Sequence, residues 1–355
     1  MKKIMLYIGV VVGVILVALL CYIAYLFLSY HRIADNQELT PDVNNQETLS
    51  TNQSYRGMTF NIGYGAYTAD YTFFMDGGKS ARAKDQATVE SNMAGVAATT
   101  ESIDPTISFF QEVDQDGDRS RHVDEVAFLQ QQFADNSSVY AKNYQSAYLF
   151  YPFLEPIGKA TSGLVTLAQS EITQATRYSL PIETNFNKFF DLDRAFSVSH
   201  LPVSNGKELI AINVHLSAYT DDPAVQEAQI NKLYDVMTAA YQAGNYVLVG
   251  GDFNHDMLAN SPRIFKTTAD RHSWDQPFPE STLPEGFSIP KGQIAEESIP
   301  TTRKLDIPYE PGVSYVSVLD GFMVSDNITV EQVAVHDGAF EYSDHNPVVI
   351  DFTLK

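Results

Sequence analysis

The sequence predicts an α/β or α+β sandwich in one domain, preceded by a single membrane-spanning helix. Three observations carry that prediction. Residues 4 to 28 contain no charged side chain. Several short segments alternate apolar and polar residues or form brief apolar runs, the pattern of strands. Two longer segments repeat apolar residues at helical spacing, and strands mixed with helices bury their apolar faces by packing in layers.

The first element is the apolar run "IMLYIGVVVGVILVALLCYIAYLFL". As a helix it would be about 37 Å long. That crosses a hydrocarbon core of about 30 Å with some tilt. A secretory signal would have a shorter apolar core, roughly 7–15 residues, and a small-residue cleavage site. No A-x-A pattern follows the run, and Leu20 before Cys21 is not the small residue of a lipoprotein site. We therefore expect an uncleaved anchor over residues 1–32. Lys2 and Lys3 precede the apolar run and Arg32 follows it, so the positive-inside rule puts the N-terminus in the cytoplasm. The expected protein is a single-pass plasma-membrane protein with an extracytoplasmic domain.

Residues 33–54, "IADNQELTPDVNNQETLSTNQS", hold few large apolar residues and read as a flexible polar linker. As a coil it would span roughly 25 Å. Residues 55–355 then form the domain. "YRGMTFNIG" predicts a strand. Val89, Met93, Val96 and Ala97 predict a helix over 84–101. "PTISFFQEVD" and "TSGLVTLAQ" predict strands. In "KELIAINVHLS", Ile210, Ile212, Val214 and Leu216 alternate, and a helix follows over 224–243 on Ile230, Leu233, Met237 and Tyr241. "YVLVGG" is a strand. Residues 257–314 read as irregular, and "YVSVLDGFMVS" and "NPVVIDFTL" close the chain as strands.

Charge and cysteine usage narrow the chemistry. Lys2, Lys3 and Arg32 are the bases before residue 33, and no acid precedes it. Residues 33–355 therefore hold 20 basic and 44 acidic side chains, a formal charge of −24. Such a surface repels nucleic acid and anionic lipid unless metal ions or a local basic patch intervene. It also keeps an exported domain soluble. Cys21, the one cysteine, lies in the apolar run, so the domain has no disulfide and no thiolate metal site.

The predicted strands share a feature at their ends. Asn61 follows "MTF", Glu112 follows "ISFFQ", and His215 closes "LIAINV". Asp252 and Asn254 follow "YVLVGG". Asp320 follows "YVSVL", and Asp344 and His345 precede "NPVVIDF". One carboxylate at a strand end is ordinarily solvated or caps a turn. Repetition at six strands points to a shared cleft. Burying such groups is costly unless a cation compensates, and their hard oxygens suit Mg²⁺, Mn²⁺ or Ca²⁺. No H-E-x-x-H zinc motif or G-x-S-x-G elbow occurs.

These segments, in this order, resemble the endonuclease/exonuclease/phosphatase superfamily of deoxyribonuclease I-like fold, most closely its membrane-anchored bacterial members. The matching motifs are "TFNIG", "FFQEVD", "NVHLS", "GGDFNHD", "SVLDGFMVS" and "YSDHNPVVI". The resemblance implies a four-layer α/β sandwich with two central sheets. It implies a phosphoester hydrolase using Mg²⁺ or Mn²⁺, with Glu112 as chief metal ligand and Asn61 and Asp344 beside it. By the same resemblance Asp252 would position or deprotonate the attacking water, and Asn254 would hydrogen-bond the phosphoryl oxygen. His345, oriented by Asp320, would contact the phosphate or act as acid/base, with His215 as a second such histidine. Some DNA-repair members carry an acid two positions after the first-strand asparagine, where this chain has Gly63.

Lys79 and Arg82 in "FMDGGKSARAK" and Arg194 in "DLDRAF" are candidate substrate cations, though each could equally be a solvated or ion-paired residue. Trp274 is expected to pack its loop rather than to line a substrate wall. The substrate is a phosphorylated compound of open class: nucleic acid, which the charge disfavours, a lipid headgroup as in a sphingomyelinase, or a small metabolite. A degenerate, non-catalytic module of the same fold is the rival reading. The membrane, reached through the helix, is the one partner the sequence indicates, and no protein partner follows from it.

Overall fold

Helix α1 (Lys2–Ser29) forms from the charge-free run and is long and apolar enough to cross a membrane. Its residues are exposed along nearly the whole length, with Leu26 buried near its end. The computed structural model describes residues 2–220, 222–267, 270–272, 274–297 and 299–355, the side chains of 295–297 excepted.

Residues 33–54 depart from the flexible linker expected of them. Strand β1 (Gln37–Leu39) pairs antiparallel with Ala175–Arg177 of a later strand. Asp42 bridges Ser138, and the Leu49 amide donates to the Pro202 carbonyl at 3.0 Å while its side chain is buried. Leu39 and Leu49 are few, but an open sheet edge offers unpaired backbone groups that such a segment satisfies.

The domain's strands and helices follow in order. β2 (Ser54–Asn61) leads through α2 (Gln86–Ile103) to β3 (Ile107–Gly117). Asp85 starts α2 by accepting from the Thr88 amide. Then come α3 (Glu125–Gln132), β4 (Ser137–Gln145), β5 (Ala160–Ala168), β6 (Gln174–Ser179), β7 (Ala195–Pro202) and β8 (Glu208–His215). α4 (Pro223–Gln242) is capped by Asp222 and leads to β9 (Tyr246–Asp252). Residues 257–314 hold only short pieces among the described residues: α5 (Ser261–Phe265), a 3-10 turn (Glu280–Thr282), β10 (Phe287–Ser288), α6 (Gly292–Glu297) and β11 (Thr302–Arg303). The segment "YVSVLDGFMVS" splits into β12 (Val316–Ser317) and β13 (Asp320–Ser325), and β14 (Ile328–Val335) and β15 (Val348–Leu354) end the chain.

One large sheet runs β1-β6-β7-β8-β9-β13-β10 and a second β14-β15-β2-β3-β5-β4, while β11 and β12 form a small two-stranded sheet. The two large sheets pack face to face. A Cβ on Gly250 of the first sheet would stand 2.5 Å from the Phe109 ring of the second, so this strand must be glycine for the sheets to approach. α4 covers the outer face of the first sheet through Ile230, Leu233 and Met237. Val89, Met93 and Val96 of α2, with Leu129 of α3, cover Met58, Phe60 and Phe110 of the second. The result is a four-layer α+β sandwich.

Two pairs of neighbouring strands are parallel, β2 with β3 and β8 with β9. A parallel pair needs a crossover connection, and α2 and α4 supply them. Parallel pairing also sets the C-terminal ends of both strands side by side: Asn61 faces Gln111, and His215 faces Asp252.

Candidate active site

Strand register builds the first half of the site. His215 ends β8, Asp252 ends β9 and Asp320 begins β13, and the pairing places all three in one row. The other sheet supplies the second half. β3 breaks its ladder with β5 between Phe110 and Val113, and Glu112 sits in that bulge with φ 56°. A bulge re-aims a side chain, and a positive φ in a glutamate is uncommon backbone that functional sites tolerate. Asn61 links the sheets by donating to Asp252 Oδ2 at 3.0 Å, and its Oδ1 accepts from the Gly63 amide at 3.0 Å.

The two histidines differ in charge. His345 Nδ1 donates to Asp320 Oδ2 at 2.8 Å, its Nε2 lies 3.1 Å from Thr302 Oγ1, and Asp252 Oδ2 is 3.8 Å away. Burial opposes its charge, but Asp320 and Asp344 outweigh burial and hold it protonated well above the ordinary range. His215 is pushed well below that range by burial, with Arg194 and His345 adding repulsion. Its Nε2 stands 3.6 Å from Asp252 and 3.8 Å from Glu112. Groups pushed apart in this way mark separate proton-handling roles.

The carboxylates are crowded. Burial, then the neighbouring Asp320, pushes Asp252 up to about 7. Burial also raises Asp344 to about 7, with Glu112 among the charges that add to it, and raises Glu112 itself. Asp320 Oδ1 is buried without a partner. Such acids fit a cation of hard-oxygen preference. Glu112 and Asp344 line the cavity with carboxylate oxygens, and Asn61 stands behind them with its Oδ1 on the Gly63 amide. Asp252, Asp320 and His345 bring donor atoms within 4.8 Å of one another, although the Asp320 bond already occupies His345 Nδ1. Asn254, with φ 48°, gives its amide N–H to Asp252 Oδ1 at 2.9 Å. One N–H of its side chain goes to the Leu216 carbonyl at 2.8 Å, and the other is left for a ligand.

Glu112, His215, Asp252, Asn254, Asp344 and His345 all line one cavity of about 700 Å³, while Asn61 and Asp320 stand behind them. A model of the endonuclease/exonuclease/phosphatase family matches residues 58–345. The chain belongs to that family. Its members are metal-dependent phosphoric ester hydrolases. An endonuclease/exonuclease/phosphatase from Beutenbergia cavernae is 17% identical with a TM-score of 0.59, over 85% of this chain and 72% of that one. The human Nocturnin catalytic domain, with bound sulfate, is 15% identical at 0.54, over 89% and 97%. A Danio rerio TDP2 complexed with a single-strand DNA product is 13% identical at 0.52, over 85% and 100%. These likenesses carry the fold. No curated protein matches the chain.

Of the three candidate substrate cations, Arg194 lines the cavity, bonded to the Leu216 carbonyl at 2.8 Å and Asp191 at 3.2 Å, with Nε unpartnered. Lys79 and Arg82 do not line it. Gly77 makes the left-handed turn of the glycine loop, Lys79 is exposed, and Arg82 is held by Asp118 at 3.2 Å and the Pro156 carbonyl. The helix start beyond them is capped by Asp85, which accepts from the Thr88 amide. Trp274 both packs and lines: it clusters with Ala218 and Leu319, stacks on His272 at 4.6 Å, and borders the cavity.

The sequence reading missed two cavity arginines. Arg119 is held by Asp114 at 2.9 Å with its guanidinium 3.2 Å from the Tyr64 ring centre. Arg303 donates to the Thr68 carbonyl at 2.7 Å, and its backbone amide donates to the Asp344 carbonyl at 3.0 Å. Neither lies in a motif. Gly63 explains itself: its φ is +56°, and a Cβ there would stand 2.8 Å from Asp344 Oδ1.

Proposed function

We propose that the protein is a membrane-anchored phosphoesterase, dependent on Mg²⁺ or Mn²⁺, whose catalytic domain lies on the extracytoplasmic side. The supporting observation is that His215 and His345 each approach Asp252 within 4 Å, in the cavity that Glu112 and Asp344 also line. In this reading Glu112, Asp344 and Asn61 hold the metal. When bound, it neutralises charge on the phosphoryl oxygens.

The chain's own groups do the rest. Asp252, fixed by the Asn61 amide and the Asn254 backbone, orients the attacking water and takes its proton. The free side-chain N–H of Asn254 and the His345 cation face the phosphoryl oxygens where charge develops. His215, neutral through burial, offers a second proton-handling imidazole. Arg194, which lines the cavity with its Nε unpartnered, is the candidate substrate cation.

The test uses the full chain in detergent with bis(p-nitrophenyl) phosphate and p-nitrophenyl phosphate, with Mg²⁺, Mn²⁺ or EDTA. Metal-dependent hydrolysis is expected, lost by about a hundredfold or more in His345→Ala. A folded protein that binds the metal yet cleaves neither ester overturns the reading.

A further inference from the structure

The end of α1 rests on two loops of the domain, residues 147–157 and 186–190. Tyr22 Oη donates to the Tyr148 carbonyl at 3.2 Å, and the Tyr22 ring meets Phe150 edge-on at 5.3 Å. Tyr25 Oη accepts from the Tyr148 amide at 2.9 Å. Leu26 is buried against Leu149 and Phe189. Phe27 and Tyr30 pack on the Phe189 ring at 4.8 and 5.3 Å. Below these contacts the helix continues as an uninterrupted apolar rod.

The same loops line the reaction cavity. Leu149, Tyr151 and Ile157 come from the first, and Lys188 and Phe190 from the second. Leu149 thus touches both the helix and the cavity that holds His215, Asp252 and His345. These loops also carry apolar side chains in the open. Phe153 is 82% exposed and Leu154 fully so, and Phe150, Tyr151, Phe186 and Phe190 are exposed as well. A patch of this kind marks a docking surface for protein or membrane. Its depth decides between them. Tyr22 lies about 10 Å down the helix from Ser29, so the loops are held at the level where the rod enters a bilayer and aromatic side chains gather. An apolar surface at that depth meets lipid first.

We propose that the two loops dip into the leaflet on the domain's side, and that the cavity opens onto it, so that the substrate is a phosphoester carried by a membrane lipid. This rests on the phosphoesterase reading above. The lipid's chains would lie along Leu149, Tyr151, Ile157 and Phe190, with its phosphate at the histidines. Water's oxygen bonds to phosphorus, and the bond from phosphorus to the leaving oxygen breaks with its electron pair on that oxygen. One water proton passes to the protein base, and the leaving oxygen takes one from the protein acid. The formal charge of −24 on residues 33–355 favours a zwitterionic lipid surface over an anionic one.

The test reconstitutes the full chain into phosphatidylcholine vesicles with added phosphatidic acid, so that a lipid diester and a lipid monoester are both present. The helix keeps every variant on the vesicle, so binding is not the readout. In vesicles brominated on the acyl chains, F153W should show an added emission that is quenched, while Trp274 of the unaltered protein is quenched much less. No added quenching places the loop in water or against a protein and overturns the docking surface. Release of phosphate or headgroup from lipid should fall roughly tenfold or more in the F153E/L154E variant, since charged side chains resist entering the bilayer. Its hydrolysis of soluble bis(p-nitrophenyl) phosphate should stay within about twofold, because neither residue lines the cavity. Cleavage of the soluble ester but of no lipid overturns this inference and leaves the phosphoesterase reading intact. Cleavage of neither overturns that reading, while the quenching still decides the surface. Equal loss on both substrates in the variant would show that the loop serves the fold, which also overturns the proposal.

Discussion

Asp320 does not line the cavity, so its effect must pass through the His345 ring it holds at 2.8 Å. It fixes which imidazole nitrogen faces the cavity and stabilises the cation there. Asp320→Asn keeps the shape and removes the charge. It should lower kcat on the order of a hundredfold or more with little change in KM, and leave the circular dichroism unaltered. A change confined to KM would show that Asp320 serves binding instead. Gly63 answers to a different constraint. Gly63→Ala forces a side chain into a left-handed conformation and against Asp344 Oδ1. A cost of about 1–2 kcal/mol in stability is expected, with a higher Mg²⁺ concentration needed for half-maximal binding by calorimetry. Unchanged metal affinity would remove Asp344 from the metal's surroundings.

The elements reach the site through two strand–helix–strand crossovers, and a polar link ties them together. The Gln111 side chain donates to Thr59 Oγ1 at 3.1 Å and across the sheets to Asn213 Oδ1 at 2.8 Å. Asn213 in turn donates to the Phe110 and Val165 carbonyls, both at 3.1 Å. Gln111→Leu leaves Asn213 Oδ1 unpaired in the core and should cost about 1–3 kcal/mol in denaturant melts. A loss below that range would mean that water replaces the amide. The crossovers were legible in the sequence because β2, β3, β8 and β9 are apolar runs that end in motif residues. Strand β6, "QATRYS", was not, because it has no apolar run. It is buried through Arg177, whose guanidinium bonds to the Lys142, Ala34 and Asp193 carbonyls and to Ser179. An arginine satisfied by carbonyls from distant loops leaves no local pattern. Arg303, held by the Thr68 and Tyr71 carbonyls, stayed invisible for the same reason, Arg119 because the Tyr64 ring and Ser162 meet it only in the fold, and residues 33–54 read as free because their partner edge is tertiary. Most motif residues of the site were readable because they lie at or beside strand ends, whereas Glu112 is aimed by a bulge inside β3 that its strand pattern does not show.

At the scale of the whole molecule, the site stores electrostatic cost that depends on pH and metal. Asp252 and Asp344 are raised to about 7 and Glu112 is raised too, so without metal the folded state binds protons that the unfolded chain has released. A raised folded pKa gives stability that is complete below the unfolded value, near 4 for these acids, and lost as pH climbs through the folded one. His345, raised as well, acts with the same sign from about pH 6.5 upward. His215 is lowered and acts oppositely, losing its contribution as pH falls below about 6.5, but it is one group against four. In EDTA the domain's Tm should therefore fall by on the order of 5 °C between pH 5 and pH 8. Divalent metal binds the deprotonated acids and stabilises the folded state by mass action. Saturating Mg²⁺ should thus raise Tm far more at pH 8 than at pH 5 and flatten the profile. Equal stabilisation at both pH values would mean that the metal binds away from these carboxylates, and the assignment of Glu112 and Asp344 would fall with it.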